Sequence, residues 1–375
     1  KEYRRQRQMC IRDREKKLAF PIVGNVNRVQ PDDLVVTDTY FNAAQIRELA
    51  DLIQLPEVEI VASYGGKHSG RVWKQFRQAK RAIAVHTGDN QRADFEMPRA
   101  AGFPAEHYQD GAFLRLDQPL IAAGHWDVAG LSRCVRLQNP YPLDDRRYQI
   151  WQKQASFNVP YLLLCAALLR KTTKARGVKK LLFLSRDTCL LQRVFNALYP
   201  DMPTETFYAS RQLYMHPTPS FIEYARRTAA QPGVLFIDLQ GTGKSVREFE
   251  RATKLSLPYL YCTAPHNCPA EVEYLYLGRN TGTELEVLNY DVQGRVIDVR
   301  DGQPVRDAIE YDAQLVQASH DAVDCLLRHL YRVPSAPELS TLTTVLHQIR
   351  VNAPKDLVRQ HQIFHPVVRP GSQRG

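Results

Sequence analysis

The chain has 375 residues, of which 44% are hydrophobic and 24% are charged; this composition is ordinary for a soluble protein, and the length favours two domains. Its net charge of +10 favours anionic partners, namely sugar phosphates, diphosphate lipids, a membrane surface or nucleic acid. No nucleic-acid-binding motif accompanies the charge, so we expect no nucleic-acid partner.

The cysteines and the longest apolar run indicate the compartment. The seven cysteines form no CxxC pair and leave an odd one over, which favours free thiols in a reducing cytoplasm. The run VPYLLLCAALL is about half as long as a bilayer crossing requires, so it predicts a buried helix. We therefore expect a cytoplasmic protein, with peripheral contact to the inner face of the membrane as a further option.

The first 30 residues are expected to be a separate basic N-terminal segment. This segment has no apolar core that would make it a signal peptide. The chain also lacks an initiating methionine, which suggests that it is a fragment.

Residues 31–130 alternate between strand and helix patterns, which predicts a doubly wound, Rossmann-like α/β domain. The strands are LVVTD, VEIVAS and AIAVHTGDN, and the helices are AAQIRELADLI and GRVWKQFRQA. Asn42 and Gln45 have the spacing of a capping box at the start of the first helix. Polar side chains follow each strand, and they are Asp38, Ser63, Lys67, Asp89 and Asp94.

These pieces resemble the haloacid-dehalogenase-like (HAD) superfamily in their order and spacing. VVTDTYFN is similar to its nucleophile motif, VAS with YGGKHSG to its serine and lysine motifs, and HTGDNQRAD to its acidic metal-binding motif. The resemblance implies that Asp38 attacks phosphorus while Ser63 and Lys67 hold the phosphoryl oxygens. It also implies that Asp38, Asp89 and Asp94 hold Mg²⁺. Neither gap between the motifs can house a helical cap, so the domain is expected to be capless.

Tyr40 is the one departure from the HAD pattern. Phosphatases of the superfamily have an aspartate there, two residues after the nucleophile, and it protonates the leaving group. General acid catalysis contributes about 10²–10⁴-fold, so an alkyl phosphate should leave poorly without it. Haloacid dehalogenases carry a tyrosine at this position, but they also carry a cap. We therefore favour a HAD-like domain kept as a scaffold over either chemistry.

Residues 131–174 are predicted to be a linker followed by a helix, because LSRCVRLQNPYPLDDRR is polar and marked by prolines. A second α/β domain then covers residues 175–332, and residues 333–375 form a loosely ordered tail. Within the second domain, LEVLNYDVQGRVIDVRDG predicts two strands about a Gln293–Gly294 turn. The segment IEYDAQLVQASHDAVDCLLRHLY predicts an amphipathic C-terminal helix.

The segment KKLLFLSRDTCLLQRVF predicts a strand, a turn and a helix, with Ser185, Arg186 and Asp187 in the turn. A guanidinium such as that of Arg186 matches phosphate oxygens bidentately. Asp187 is equally well explained as a helix N-cap. In TFYASRQLY, Arg211 stands at another strand end, where it is also suited to bind an anion.

The segment VLFIDLQGTGKS predicts a strand buried on both faces, followed by a glycine turn and a helix. The turn therefore lies at the carboxyl edge of a sheet, where open α/β folds bind ligands. Its glycines and helix N-terminus suit a phosphate, and Asp238 suits ribose hydroxyls or a metal. An ordinary strand-to-helix turn and a Walker A loop are the alternatives. The candidate phosphate-binding residues are Gly241, Thr242, Gly243, Lys244 and Ser245.

This run resembles the phosphoribosyl diphosphate signature of type I phosphoribosyltransferases, which implies that Asp238 binds the ribose diol and residues 241–245 wrap the 5-phosphate. It departs at Leu239, where a second acid is expected. With SRD and ASR, the whole chain resembles proteins of bacterial capsule and O-antigen assembly. These fuse a HAD-like domain to a phosphoribosyltransferase-like domain and install ribofuranose.

The resemblance implies a glycosyl transfer in bacterial surface polysaccharide assembly. Diphosphate leaves C1 of the phosphoribosyl donor, with Mg²⁺ and Arg186 neutralising its charge, and a hydroxyl of a glycan or lipid-linked acceptor attacks. Asp187 and Asp238 both remain candidates for the base. A Mg²⁺-dependent phosphohydrolase and a catalytically silent scaffold are the alternative functions.

Overall fold

The computed structural model describes residues 13, 16–264, 269–276, 282–309, 311–330, 334–338 and 340–341. In the predicted N-terminal segment (residues 1–30), residues 1–12 and 14–15 lie outside the described residues. In the predicted tail (residues 333–375), residues 333, 339 and 342–375 lie outside them. The chain divides into two compact units. The first unit comprises residues 1–113 with 137–140, and the second unit comprises residues 114–136 with 141–375.

The first unit is built from parallel strand pairs with helices between the strands. Strand β1 (Leu34–Thr37) pairs with β2 (Glu59–Ala62), and β3 (His86–Gly88) pairs with β4 (Ala105–His107). The unit also contains the helices α1 (Val23–Val26), α2 (Ala43–Leu52), α3 (Arg71–Gln78) and α4 (Met97–Ala100), and a π-helical turn (Gln91–Glu96). The predicted α/β alternation is confirmed for these strands.

The local start of α2 follows the predicted capping box. The Asn42 side chain accepts a hydrogen bond from the Gln45 N–H at 2.9 Å, and the Gln45 side chain accepts one from the Asn42 N–H at 3.0 Å. Two of the four N–H groups that a helix start leaves unpaired are satisfied in this way. A small core around the fully buried Trp73 then fixes α3 against β1, with Val36, Val72 and Phe76.

Residues 114–136 differ from the prediction, which placed residues 114–130 in the first domain and began a linker at residue 131. They form helix α5 (Gln118–Ala122) and most of helix α6 (Trp126–Leu137) of the second unit. Val128, Leu131 and Val135 recur at helical spacing and are buried in its main core. The linker prediction failed because the polar residues of this segment are paired inside the protein rather than solvated.

The centre of the second unit is a five-stranded parallel sheet in the order β6–β5–β7–β8–β9. Its strands are β5 (Lys180–Leu184), β6 (Thr204–Phe207), β7 (Val234–Gln240), β8 (Tyr259–Thr263) and β9 (Tyr274–Tyr276). Numbered within the sheet, this order is 2-1-3-4-5, which reverses direction between β5 and β7. Ligands of open α/β sheets bind in the crevice that opens at such a reversal.

Helices cover both faces of this sheet because its central strands are apolar on both sides. In β5, Leu181 and Phe183 belong to the main core, whereas Leu182 and Leu184 belong to a second core. In β7 the same alternation separates Leu235 and Ile237 from Val234 and Phe236. The helices that connect the strands are α9 (Cys189–Leu198), α10 (Arg211–Met215), α11 (Pro219–Ala229) and α12 (Lys244–Thr253).

Further helices of the second unit flank the sheet. Helix α7 (Arg146–Lys153), a π-helical segment (Gln154–Asn158) and α8 (Val159–Ala175) follow one another without a break. Helix α8 contains the apolar run of the sequence, and its residues 159–169 are all buried, as predicted. Within the described part of the chain, no helix is both long and apolar enough to cross a bilayer.

The C-terminal part of the second unit corrects one prediction. Helix α13 (Gly282–Leu288) replaces the first predicted strand, and the hairpin lies later, between β10 (Val296–Arg300) and β11 (Gln303–Arg306). Its turn is Asp301–Gly302, in which both residues have positive φ, rather than Gln293–Gly294. Asp-Gly suits such a hairpin turn well. The predicted C-terminal helix is confirmed as α14 (Ala313–Arg328).

A buried ion pair ties α6 to the turn before α5. Asp117 and Arg136 are 1% and 6% exposed, and the Arg136 guanidinium donates to both carboxylate oxygens of Asp117. We expect Arg136→Met to destabilise the second unit by about 3–5 kcal/mol, because it leaves a buried carboxylate without its partner. Arg226→Met is the matched control, since it breaks an exposed pair with Glu223 worth about 0–1 kcal/mol. Equal losses in urea unfolding would contradict this account.

Candidate functional site

The carboxylates of Asp187 and Asp238 mark the reversal point of the five-stranded sheet. Asp187 lies in the turn between β5 and α9, and Asp238 is the fifth residue of β7. Strands β5 and β7 are parallel neighbours, so their carboxyl ends share one edge. The structure therefore brings together two acids that are 51 residues apart in the sequence.

The alternation of β7 explains why one acid stands here rather than two. Ile237 and Leu239 belong to the main core, so Asp238 lies on the opposite face of the sheet. Leu239 is fully buried, and a second acid at its position would place a carboxylate in that core. Packing thus accounts for the leucine at position 239, where a second acid was expected.

Both acids hold their protons more tightly than usual. Burial raises the pKa of Asp187 to about 7, and the negative charge of Glu286 adds to this. Burial also raises the pKa of Asp238 to about 8, with the charge of Asp187 as the next cause. Both residues are intermediate in solvent exposure. They stand at the carboxyl edge of an open parallel sheet where the strand order reverses, the place at which such folds form a crevice, and we call this site the carboxylate crevice.

Two predicted arginines lie near the carboxylate crevice, and their positive charges partly offset the rise in the pKa of Asp187. Arg186 adopts a φ of 83°, which non-glycine residues rarely do. Its guanidinium lies 5.4 Å from the centre of the Tyr290 ring. Arg211 is the exposed first residue of α10. The crevice therefore offers both acid–base groups and anion-binding groups.

The turn around Arg186 contains Ser185 and Asp187. The Ser185 hydroxyl donates to the Ala209 carbonyl at 2.9 Å and accepts from the Ala209 N–H at 3.2 Å, so it joins β5 to the segment after β6. The phosphate-binding role of Ser185 stays a prediction. The alternative reading of Asp187 as an N-cap is wrong, because Thr188 is the N-cap residue of α9.

The glycine turn after β7 has the predicted strand-turn-helix form. Gly243 has a φ of 66° and precedes α12, which begins at Lys244. At Gly241 a Cβ atom would lie 2.8 Å from the Tyr261 ring, and the Tyr274 hydroxyl donates to the Gly241 carbonyl at 3.0 Å. Packing against tyrosines thus requires the first glycine. The phosphate-binding role of Gly241, Thr242, Gly243, Lys244 and Ser245 stays a prediction.

In the first unit, Asp38 is held by three donors at the carboxyl end of β1. The Ser63 hydroxyl donates to one carboxylate oxygen, together with the Lys67 N–H at 3.0 Å, and the His68 N–H donates to the other at 2.9 Å. Burial works to raise the pKa of Asp38, but these hydrogen bonds outweigh it and lower the pKa. Asp38 is therefore ionised at neutral pH.

Asp94 is also fully engaged by donors of the protein. Its carboxylate accepts from Lys67 Nζ at 2.6 Å, from the Asn90 N–H at 3.1 Å, and lies 2.9 Å from His86 Nε2. Burial opposes ionisation of Asp94, yet the bonds to His86 and Lys67 lower its pKa. Asp89 is exposed on the loop before it.

The structure links Asp38, Ser63, Lys67 and Asp94 into one hydrogen-bonded set, as the predicted motifs require. It does not assemble the predicted metal ligands: within the described residues, no group of three or more His, Cys, Asp and Glu side chains is arranged to hold a metal ion. Sequence reasoning missed His86, although it stands three residues before Asp89. It also missed Glu286 and Tyr290, which no local pattern connects to the crevice.

Comparison with known proteins adds no relative. No protein-family model matches this chain, and no curated protein matches it in sequence.

The carboxylate crevice should lower stability as the pH rises from about 4 to about 8. Because the pKa of Asp238 is raised from 3.8 to about 8, the folded state retains a proton that the unfolded chain releases, and stability falls as pH rises through that window. We expect Asp238→Asn to be more stable than the wild type at pH 8 by more than about 1 kcal/mol, and equal to it at pH 4.

The matched control for this prediction is Asp298→Asn. Hydrogen bonds, first from Thr218, lower the pKa of Asp298 to about 2, so its charged form stabilises the fold at neutral pH. This variant should lose stability at pH 8, which is the opposite sign. Urea unfolding at the two pH values measures both. A destabilised Asp238→Asn at pH 8 would contradict the raised pKa.

Proposed function

We propose that the protein is a phosphoribosyl-type glycosyltransferase of bacterial surface polysaccharide assembly, with its reaction in the carboxylate crevice of the second unit. We further propose that the two units are doubly wound Rossmann-like domains, the first HAD-like and the second phosphoribosyltransferase-like. The observation that carries the proposal is the meeting of Asp187, Asp238 and Arg186 at the reversal point of the sheet. The donor would be phosphoribosyl diphosphate, and the acceptor a glycan or a lipid-linked glycan.

The carboxylate pair suits the base of such a transfer. The acceptor hydroxyl oxygen forms a bond to C1 of the sugar while the C1–O bond to diphosphate breaks, and the diphosphate leaves with the electron pair. The hydroxyl proton passes to the ionised carboxylate of the pair. A base with a pKa near the working pH is the most effective, and the values of about 7 and 8 meet this condition. Because the two acids interact, the pair titrates as a unit.

The arginines suit the leaving group. Guanidinium groups bind phosphate oxygens bidentately and stay charged, so Arg186 and Arg211 would stabilise the charge that develops on the departing diphosphate. The net charge of +10 adds a long-range attraction for the anionic donor. It also suits a position at or near the anionic inner face of the membrane. The cytoplasm is the compartment we propose, on the pattern of the cysteines.

Asp187 and Asp238 also fit Mg²⁺. Burial and the charge of Asp187 favour the protonated form of Asp238, and a divalent cation bound at the two acids would reverse this effect. Mg²⁺ is commonly held by one or two carboxylates together with substrate phosphates, and it would then neutralise the diphosphate. The fit in the first unit is poor, since both oxygens of Asp94 already accept hydrogen bonds from the protein.

The test of the transferase compares two substitutions in the full chain. Asp238→Asn should abolish ribosyl transfer from phosphoribosyl diphosphate, because it removes the carboxylate of the pair that we expect to bind the ribose diol, whereas Asp38→Asn should leave transfer within about twofold. Transfer is measured as the release of diphosphate in the presence of a glycan acceptor. The reverse result would place the reaction in the first unit. Failure of the wild type to bind phosphoribosyl diphosphate would overturn the proposal.

Phosphohydrolysis by the first unit is the second candidate function, and the ionised Asp38 beside Ser63 and Lys67 favours it. The missing acid limits it: Tyr40 is 57% exposed and a tyrosine is a weak proton donor at neutral pH. We expect any activity with Mg²⁺ to be confined to aryl phosphates, whose phenolate leaves without a proton.

Tyr40→Asp would supply the acid that the HAD pattern has at this position. It should raise alkyl phosphate hydrolysis by about 10²-fold or more if Asp38 is a working nucleophile. The double variant with Asp38→Asn is the control, and it should release no phosphate. If well-folded wild type and Tyr40→Asp both fail on aryl and alkyl phosphates, the first unit is a scaffold.

A further inference from the structure

Arg186 has two features that its own turn does not explain. Its backbone φ of 83° lies in the left-handed region, which a non-glycine residue occupies only when its surroundings hold it there. Its Nε atom is buried and has no hydrogen-bond partner among the described residues. A buried N–H without a partner is rare, and it is a donor available to a ligand.

The Tyr290 ring provides the surface on which the Arg186 guanidinium lies, at 5.4 Å from the ring centre. A guanidinium over an aromatic ring is attracted by the negative face of the ring. The guanidinium carries its N–H groups as a planar fork that matches the oxygens of an anion. The contact with the ring therefore limits the positions from which Arg186 can offer these donors.

Tyr290 is itself held in place by residues of the C-terminal part of the second unit. Its ring stacks on Tyr311 at 5.3 Å with an interplanar angle of 23°. Its carbonyl oxygen lies 2.8 Å from His320 Nε2. The Arg193 guanidinium lies 3.4 Å from the other ring nitrogen and can only donate to it, so Nε2 carries the proton and donates to Tyr290.

The preceding residue, Asn289, holds the same segment from another side. Its side chain forms a reciprocal amide pair with Asn158 of the π-helical segment, at 3.0 and 2.9 Å, and both residues are fully buried. Its carbonyl accepts a weak bond from the Cys189 thiol at 3.7 Å. Since Cys189 begins α9, this contact joins the Tyr290 segment to the turn that carries Arg186.

We infer that Tyr290 is a positioning residue that orients the Arg186 guanidinium toward the diphosphate group of the donor in the carboxylate crevice. This inference rests on the proposed function and adds a residue that no local sequence pattern links to it. The ring, Tyr311, His320 and the amide pair form a rigid support. Tyr290 and Arg186 are roughly 10² residues apart in the sequence, so only tertiary contacts bring them together.

The test measures binding of inorganic diphosphate with Mg²⁺ to the full chain by titration calorimetry. Tyr290→Leu removes the aromatic face and should weaken diphosphate binding about tenfold, which lies within the range of a cation–π contact. Tyr290→Phe keeps the ring and should restore binding to within about twofold of the wild type. A purely structural role of the hydroxyl group would instead make Tyr290→Phe as weak as Tyr290→Leu.

The matched control is Tyr199→Leu. Tyr199 carries a comparable contact with Arg170 at 5.7 Å, but it follows the far end of α9, about 15 Å from the edge that carries Arg186. We expect its loss to leave diphosphate binding unchanged. An equal weakening by Tyr199→Leu and Tyr290→Leu would overturn the inference, because it would reveal a general loss of packing.

A double variant tests whether Tyr290 acts through Arg186. Arg186→Lys removes the planar group that stacks, so Tyr290→Leu should cause no further loss of diphosphate binding in that background. Additive losses would contradict the inference. Unchanged binding by Tyr290→Leu overturns the inference alone, whereas absence of diphosphate and phosphoribosyl diphosphate binding by the wild type overturns the proposed function as well.

Discussion

The parallel sheet of the second unit, covered on both faces, is the constraint on which the rest depends. Every residue in the middle of β5 and β7 must be apolar, because it enters one core or the other. Polar chemistry is therefore confined to the strand ends and the turns after them. The reversal of strand order between β5 and β7 then opens a crevice at that edge, and Asp187 and Asp238 meet there.

The two units treat their acids in opposite ways. In the first unit, Asp38 and Asp94 each accept several hydrogen bonds, and their pKa values fall despite burial. In the second unit, burial raises the pKa values of Asp187 and Asp238, and nearby negative charge adds to this, from Glu286 at Asp187 and from Asp187 at Asp238. The hydrogen bonds in the first unit stabilise the ionised form of its carboxylates. The raised pKa values in the second unit cost stability and allow its carboxylates to gain or lose a proton near neutral pH, a property that is typical of reaction sites.

Support for the crevice comes from polar residues that are buried only because they are paired. Asn158 with Asn289, and His320 with the Tyr290 carbonyl, join the helices behind the sheet to the segment beside Arg186. If one member of such a pair lost its partner, it would be a buried polar group without a hydrogen bond, which costs free energy. Such pairs therefore specify one arrangement of the backbone.

Local signals determined much of the protein from sequence alone. Apolar runs gave β5 and β7, the spacing of Asn42 and Gln45 gave the start of α2, and strand-turn-helix patterns placed Asp187 and Asp238 at strand ends. These features are predictable because they depend on neighbours along the chain. Three features were not predictable in this way: the unit boundary, the burial of Arg136 and the reason for a leucine at position 239. Each depends on packing against residues that are distant in the sequence.

Only the tertiary structure decided which strand ends are neighbours and what surrounds them. Strand order placed Asp187 beside Asp238, and contacts more than a hundred residues away along the chain brought Tyr290 to Arg186. The pKa values followed from that environment, because burial and nearby charge are properties of the fold and not of a motif. The sequence thus determined which residues have the chemistry, and the structure determined which of them meet.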